Sequence, residues 1–258
     1  LLGLRYRIEV RGLEKITARG TSGILFLPNH PALIDPVVIV SHLNGPFAPA
    51  ILADKDQVDR PIIRWAARHM NVRPLLDVRT YGLDARSQIE ATIQKAIIDL
   101  KAGGNLLLYP SGHAYRSRHE DLRGNSATQL VLREVPNARV VLVRTRGLWG
   151  SGFGYANGKP DIAGLLRRGV GQILANGIFA TPHRRLTIEL HEPTDLPRNA
   201  DRNELNRYLE AFYNEDAPPN TYVPYSIGEF RGPRALPDPQ VPPVVSTPEE
   251  VPANIRKL

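Results

Sequence analysis

His30 and Asp35 are the residues of this chain whose types and spacing point most directly to chemistry. A neutral imidazole takes a proton from a hydroxyl near neutral pH. A carboxylate beside it fixes the tautomer and stabilises the imidazolium. On a regular helix, residues five apart lie about 140° apart round the axis, so the two side chains do not share a face. If they meet, His30 must stand in the loop ahead of the helix; Pro31 and Pro36 agree with a non-helical turn there. A purely structural reading fits the same residues: Asp35 caps a helix, Pro36 opens it, and His30 is an ordinary loop residue.

Other side chains offer less. Arg144 and Arg146 are two apart on a strand-like run, share a face, and make a candidate anion site; solvated charges at a strand end are the plain alternative. His113, His119 and Glu120 lack the spacing of a zinc site, and no metal is expected. The chain has no cysteine, which excludes disulfides, thiolate metal sites and a cysteine nucleophile. Ser111 sits in Tyr-Pro-Ser-Gly, which is not the Gly-x-Ser-x-Gly nucleophile elbow. Gly147 to Gly154 is glycine-rich without a P-loop lysine and reads as a flexible loop, whose Trp149 and Phe153 could touch an acyl chain or a bilayer.

These residues need a scaffold. The apolar run Gly23 to Pro28 precedes Asn29 and His30, and a second run, Val37 to Val40, follows Asp35. Strands are expected over Arg5–Val10, Ala48–Ala53, Val72–Leu76, Asn105–Tyr109, Arg139–Thr145 and Leu186–Leu190. Helices are expected from Asp59 to about His69, through Ile89, Ile93, Ala96, Ile97 and Leu100 up to Gly103-Gly104, and over Ser126–Glu134, Ile162–Phe179 and Asp201–Tyr213. Strands alternating with helices imply an α/β fold, a mostly parallel central sheet covered by helices on both faces. Such folds place chemistry at strand ends. Arg167, Arg168, Ile173, Leu174, Ile178 and Phe179 form either a basic, apolar membrane-docking face or part of a core helix with solvated arginines.

The 258 residues suffice for one large domain, placed at 1–215. Ten of the 23 prolines fall in 216–258, where helical periodicity vanishes, so that stretch reads as a linker or wrapping arm. The chain starts Leu1-Leu2-Gly3 and reads as a segment of something longer. No apolar stretch reaches the length of a membrane span, no signal-peptide pattern opens the chain and no internal repeat is visible. A net charge of +7 favours anionic partners such as phospholipid headgroups, phosphorylated metabolites or coenzyme A. Aromatic residues are not interleaved with the basic ones, so nucleic acid is not the expected partner.

Pro28-Asn29-His30-Pro31-Ala32-Leu33-Ile34-Asp35-Pro36 resembles the Asn-His-x4-Asp motif of the PlsC-like glycerolipid acyltransferases. Leu75 to Arg79 resembles that family's second motif, Leu108 to Arg116 its third (Phe-Pro-Glu-Gly-Thr-Arg), and Val140 to Gly147 stands in the place of its fourth. The likeness spans roughly residues 5–215. With Arg146 to Ser151 and Tyr208 to Tyr213, it is nearest to acyltransferase domains fused to AMP-binding acyl-activating ligases.

The resemblance implies that His30 is the general base, Asp35 its orienter, and an acyl-CoA or acyl carrier protein the co-substrate, with no other cofactor. It implies a lysophospholipid or other phosphate-bearing acceptor, an anionic membrane surface at the cytoplasmic face, and a fused or partner ligase. Asn29, Ser111, Gly112 and His113 would line the substrate site, backbone N–H groups around Gly112 would steady the oxyanion, and Arg79 and Arg116 would hold phosphate, with Arg144 and Arg146 as a further anion site. The third block departs from the family: Ser111 replaces the glutamate, His113 takes the threonine-like position, and Arg116 stands one place late. The altered block leaves two other readings in play, a silent lipid- or carrier-binding module and acyl transfer to a non-lipid acceptor.

Overall fold

Ile24, Leu25, Phe26 and Leu27 are apolar in succession, so a strand made of them must be covered on both faces. That strand, β2 (Ile24–Pro28), is buried along its length and lies inside a seven-stranded sheet. The computed structural model describes residues 2–54, 71–75, 83–177 and 180–239. The expected helix from Asp59 to His69, the end of the second block from Leu76 to Arg79, Ile178 with Phe179, and tail residues 240–258 lie outside the described residues.

The other sheet strands are β1 (Tyr6–Arg11), β3 (Ala50–Asp54), β4 (Val72–Leu75), β5 (Leu106–Leu107), β6 (Arg139–Arg146) and β7 (Arg184–His191). Their order is β1-β7-β6-β2-β5-β3-β4, and every pairing is parallel except β6 with β7. The fold is therefore α/β with a mostly parallel sheet. β5 keeps only two of the five residues expected of it: the Leu108 amide still reaches the Phe26 carbonyl, and the chain then turns at Pro110.

One face of the sheet is covered by α1 (Leu13–Ala18) and α2 (Asp35–Phe47), with Ile16, Val38, Ile39 and Leu43 packed on Phe26, Val141, Val143 and Ile188. The other face takes α3 (Leu83–Lys101), α4 (Ala127–Glu134) and α6 (Arg202–Asn214), whose Ala96, Ile97, Leu132, Leu205 and Leu209 meet Leu25, Leu27, Val140 and Leu142. Truncating such a core leucine typically costs about 2–5 kcal/mol. Asp201 caps α6 by accepting from the amides of Asn203 and Glu204.

The helix α5 (Ile162–Ala175) ends before the expected Phe179 and contributes no fully buried residue, so it is not a core helix. Residues 217–239 cross the domain surface and include the small hairpin β8 (Thr221–Tyr222) and β9 (Arg234–Ala235). Among the described residues, no helix is long and apolar enough to cross a membrane.

Candidate active site

β5 and β6 run parallel to β2 on either side of it, so the chain leaving all three strands converges at one end of the sheet. Asn29 is locked there first: its amide nitrogen donates to the Tyr115 hydroxyl (2.8 Å) and the Thr145 carbonyl (3.1 Å), and its Oδ1 accepts from the Thr145 amide (2.7 Å). His30 follows, with its backbone held at both polar atoms: its N–H donates to Glu120 (2.9 Å) and its carbonyl accepts from the Tyr115 amide (2.9 Å).

The His30 and Asp35 side chains meet, with Nδ1 and Oδ2 2.9 Å apart. His30 lies in the loop, and Asp35 is the first residue of α2 with Pro36 next to it. The carboxylate therefore does not act as the helix cap; Ile34 occupies the cap position without a side-chain bond. Asp35 is fully buried, and its Oδ1 accepts from the Tyr109 hydroxyl (2.9 Å). Its place in the first turn also lets the positive end of the helix favour the anion. The Tyr109 ring lies 4.6 Å from the imidazole. Only 15% of the His30 side chain is exposed.

Burial works against charge on both partners. It pulls the His30 imidazolium down, but the Asp35 carboxylate, the hydrogen bond between them and Glu120 outweigh it, leaving the histidine above its ordinary value. Burial pushes the Asp35 carboxyl up, opposed by His30, Tyr109 and the Ala32 amide. The two groups share one buried contact, so they titrate as a unit, and the direction that decides function is the upward shift of His30. Once Asp35 is ionised and His30 neutral, Nδ1–H points at Oδ2 and Nε2 is the basic nitrogen.

Glu120 is the residue that sequence reasoning missed in this role. Its side chain turns inward to the His30 amide, and burial raises its carboxyl to about 7, against the His30 amide and the Ser111 hydroxyl, which favour the anion. His119 is exposed and His113 is tied to the Ser111 carbonyl, so the trio does not gather as metal ligands. The available signal was an acidic residue in a loop whose third block has Ser111 where a glutamate was expected.

The remaining candidates divide. Ser111 is buried and donates to the His113 carbonyl (2.8 Å), closing a turn on itself. The Gly112 amide donates to the Tyr109 carbonyl (3.1 Å), so it is not free to serve an oxyanion. Arg116 is exposed and stacks 3.7 Å over the Tyr155 ring, with no ion pair among the described residues. Arg144 is neither an anion site nor a solvated charge. Strand alternation sends it to the far face, where Glu189 (2.7 Å) and Glu215 (2.7 Å) neutralise it and the Phe212 ring covers it. Arg146 bonds the Glu215 carbonyl at the end of α6. Arg79 lies outside the described residues.

Trp149 does not reach for a bilayer: it is buried against Tyr115, and its indole N–H donates to Asp238 (2.8 Å). The glycine loop is clamped rather than flexible, since the buried Arg184 guanidinium donates to the carbonyls of Gly147, Trp149, Gly150 and Thr221. A cavity of about 410 Å³ lies between β1, α1 and β7 with Arg11, Lys15, Arg19, Glu189 and Glu192 in its wall, and its lining does not include His30. Its mixed charges and separate lining give it no part in the site.

A family model described as Acyltransferase matches residues 7–144, from β1 into β6. The chain belongs to the acyltransferase family. The matched span of this acyltransferase-family chain holds the His30–Asp35 dyad, the 108–116 block and Glu120, and it ends before the glycine loop and α5. Among solved structures, the 1-acyl-sn-glycerophosphate (LPA) acyltransferase PlsC from Thermotoga maritima is similar with a TM-score of 0.52 and 17% identity, over 82% of this chain and 71% of that one. That likeness concerns the fold. No curated protein matches the sequence.

Proposed function

We propose that this member of the acyltransferase family moves a fatty acyl group from an acyl thioester, acyl-CoA or acyl carrier protein, to a hydroxyl of a lysophospholipid or glycerol-phosphate-type acceptor. The observation that carries the reading is the 2.9 Å contact between His30 Nδ1 and a wholly buried Asp35 that Tyr109 also holds. It leaves Nε2 as the nitrogen that meets the acceptor. Nε2 takes the hydroxyl proton as the oxygen attacks the thioester carbonyl. When the tetrahedral intermediate collapses, the C–S bond breaks and the imidazolium returns its proton to the thiolate, giving an ester and a free thiol. Arg116, exposed and unpaired, is the described cation best placed to take the acceptor phosphate, and Arg79 is assigned the same role from its motif alone.

Acceptor-dependent thiol release from an acyl-CoA tests this. His30→Ala should lower it on the order of a hundredfold or more. A variant that retains the wild-type rate would remove His30 as the base. The base form needs a neutral imidazole, and Asp35 holds His30 protonated beyond the ordinary 6.5. The rate should therefore climb with pH along a limb centred above that value. Comparing lysophosphatidate with a monoacylglycerol of the same chain length reports whether the acceptor phosphate is used.

A further inference from the structure

Five of the seven large hydrophobic side chains exposed among the described residues, Leu166, Val170, Leu174, Ile227 and Phe230, fall on one part of the surface. The first three repeat every four residues along α5, the spacing that puts them on one stripe. Ile173, one of the residues that the sequence left between such a face and a core helix, is half-buried. Ile227 is fixed at the C-terminal end of the stripe, because its amide donates to Asn176 Oδ1 (3.0 Å) and Asn176 in turn donates to the Tyr225 carbonyl (2.8 Å). Phe230 is 98% exposed on the turn that follows.

The charge around this stripe is mostly positive. Arg167, Arg168 and Arg231 are exposed and form no ion pair among the described residues. The nearby acids are already engaged: Asp161 caps α5, and Glu229 is bonded to Arg234 and Tyr222. An amphipathic helix with an open apolar stripe, a flank of arginines without acidic partners and a protruding phenylalanine matches a bilayer interface with anionic headgroups. A soluble protein leaves such a patch uncovered only where it has a use.

We propose that α5 and the turn at residues 226–232 dock this protein onto an anionic lipid bilayer. This rests on the proposed lipid acceptor, for the docking face is joined to the dyad through one loop. A side chain at Gly152 would run into the Leu165 side chain of α5, so that leucine packs directly on the loop backbone. The next residue, Phe153, accepts the Leu33 amide (3.0 Å) within the His30–Asp35 turn. Tyr155 then lies under Arg116. A bilayer against α5 brings lipid hydroxyls and acyl chains to the edge of the site that uses them.

Sedimentation with phosphatidylcholine vesicles, with and without phosphatidylglycerol, tests the proposal. The wild type should bind the anionic vesicles, lose affinity as salt rises, and bind neutral ones weakly. Val170→Ser with Phe230→Ser should weaken anionic-vesicle binding about tenfold or more, and Arg167→Gln with Arg168→Gln should remove the preference for phosphatidylglycerol. All four positions are exposed, so both variants should fold and keep the wild-type rate with a water-soluble short-chain acyl-CoA and acceptor. His30→Ala should show the reverse, full vesicle binding without transfer, which separates failure of docking from failure of the proposed chemistry. Vesicle binding unaltered by the four substitutions, equal binding to both vesicle types, or self-association through this face without lipid binding would each overturn it.

Discussion

A histidine and an aspartate five residues apart become a dyad here because the backbone between them is a turn, not a helix. Pro31, Pro36 and the bond from Leu33 to Phe153 hold that turn. This much was legible in the sequence, since both partners and both prolines are neighbours in the chain. Glu120 was not, because 90 residues separate it from His30 and no periodicity marks a carboxylate that turns inward from a loop. Its burial gives it a measurable signature. The folded state holds the Glu120 proton up to about pH 7, whereas the unfolded chain releases it near 4.5. Stability from this group is therefore fully present below pH 4.5 and is lost as pH rises through 7, a loss of about 3 kcal/mol at 1.36 kcal/mol per unit. Glu120→Gln keeps an oxygen to accept the His30 amide but no longer titrates. Denaturant unfolding at pH 5 and pH 8 should show a smaller drop for the variant than for wild type. The same drop in both would mean that Glu120 does not titrate in the folded state.

At the scale of elements, the sheet and most helices followed from apolar periodicity, and the loops did not. The glycines from 147 to 154 look permissive as a string of residues, yet they serve close packing. A side chain at Gly147 would strike the Arg185 carbonyl, and one at Gly150 would strike Asn220 and Thr221, both at positive φ. The partner that holds the loop, Arg184, is 37 residues from Gly147, too far for any local pattern to reveal. No carboxylate pairs with its buried guanidinium among the described residues; backbone carbonyls satisfy it, and burial lowers it only to about 10, so it stays charged at neutral pH. Arg184→Met keeps the aliphatic bulk and strands those buried acceptors. At about 1–3 kcal/mol for each unsatisfied buried group, the unfolding free energy should fall on the order of 3 kcal/mol or more. An equilibrium denaturation midpoint measures it, and a loss under about 1 kcal/mol would show that the loop does not depend on the clamp.

At the scale of the whole molecule, the excess of 33 basic over 26 acidic residues overstates what is offered to partners. Arg5, Arg118, Arg144, Arg184 and Arg198 are turned inward onto carbonyls or glutamates, and four of the acceptors, Ala217, Thr221, Val223 and Pro224, belong to the proline-rich segment. Proline lacks an N–H, which removes helical periodicity and makes the segment look like a linker; its carbonyls remain, and a guanidinium can bind them without regular structure. Composition thus marks a boundary at residue 216 where hydrogen bonding continues to Asp238, the acceptor of the Trp149 indole. A chain stopped after residue 216 would bare Trp149 and leave Arg5, Arg118 and Arg184 short of partners. If that removes about 3 kcal/mol, its Tm should fall by roughly 10 °C, at 2–4 °C per kcal/mol for a chain of this size. Hydrogen exchange should accelerate at residues 147–154 and 184–186 while β2 and β5, enclosed on both faces, stay protected. An unchanged Tm with unchanged exchange in the glycine loop would show that residues 217–239 lie on the domain without stabilising it.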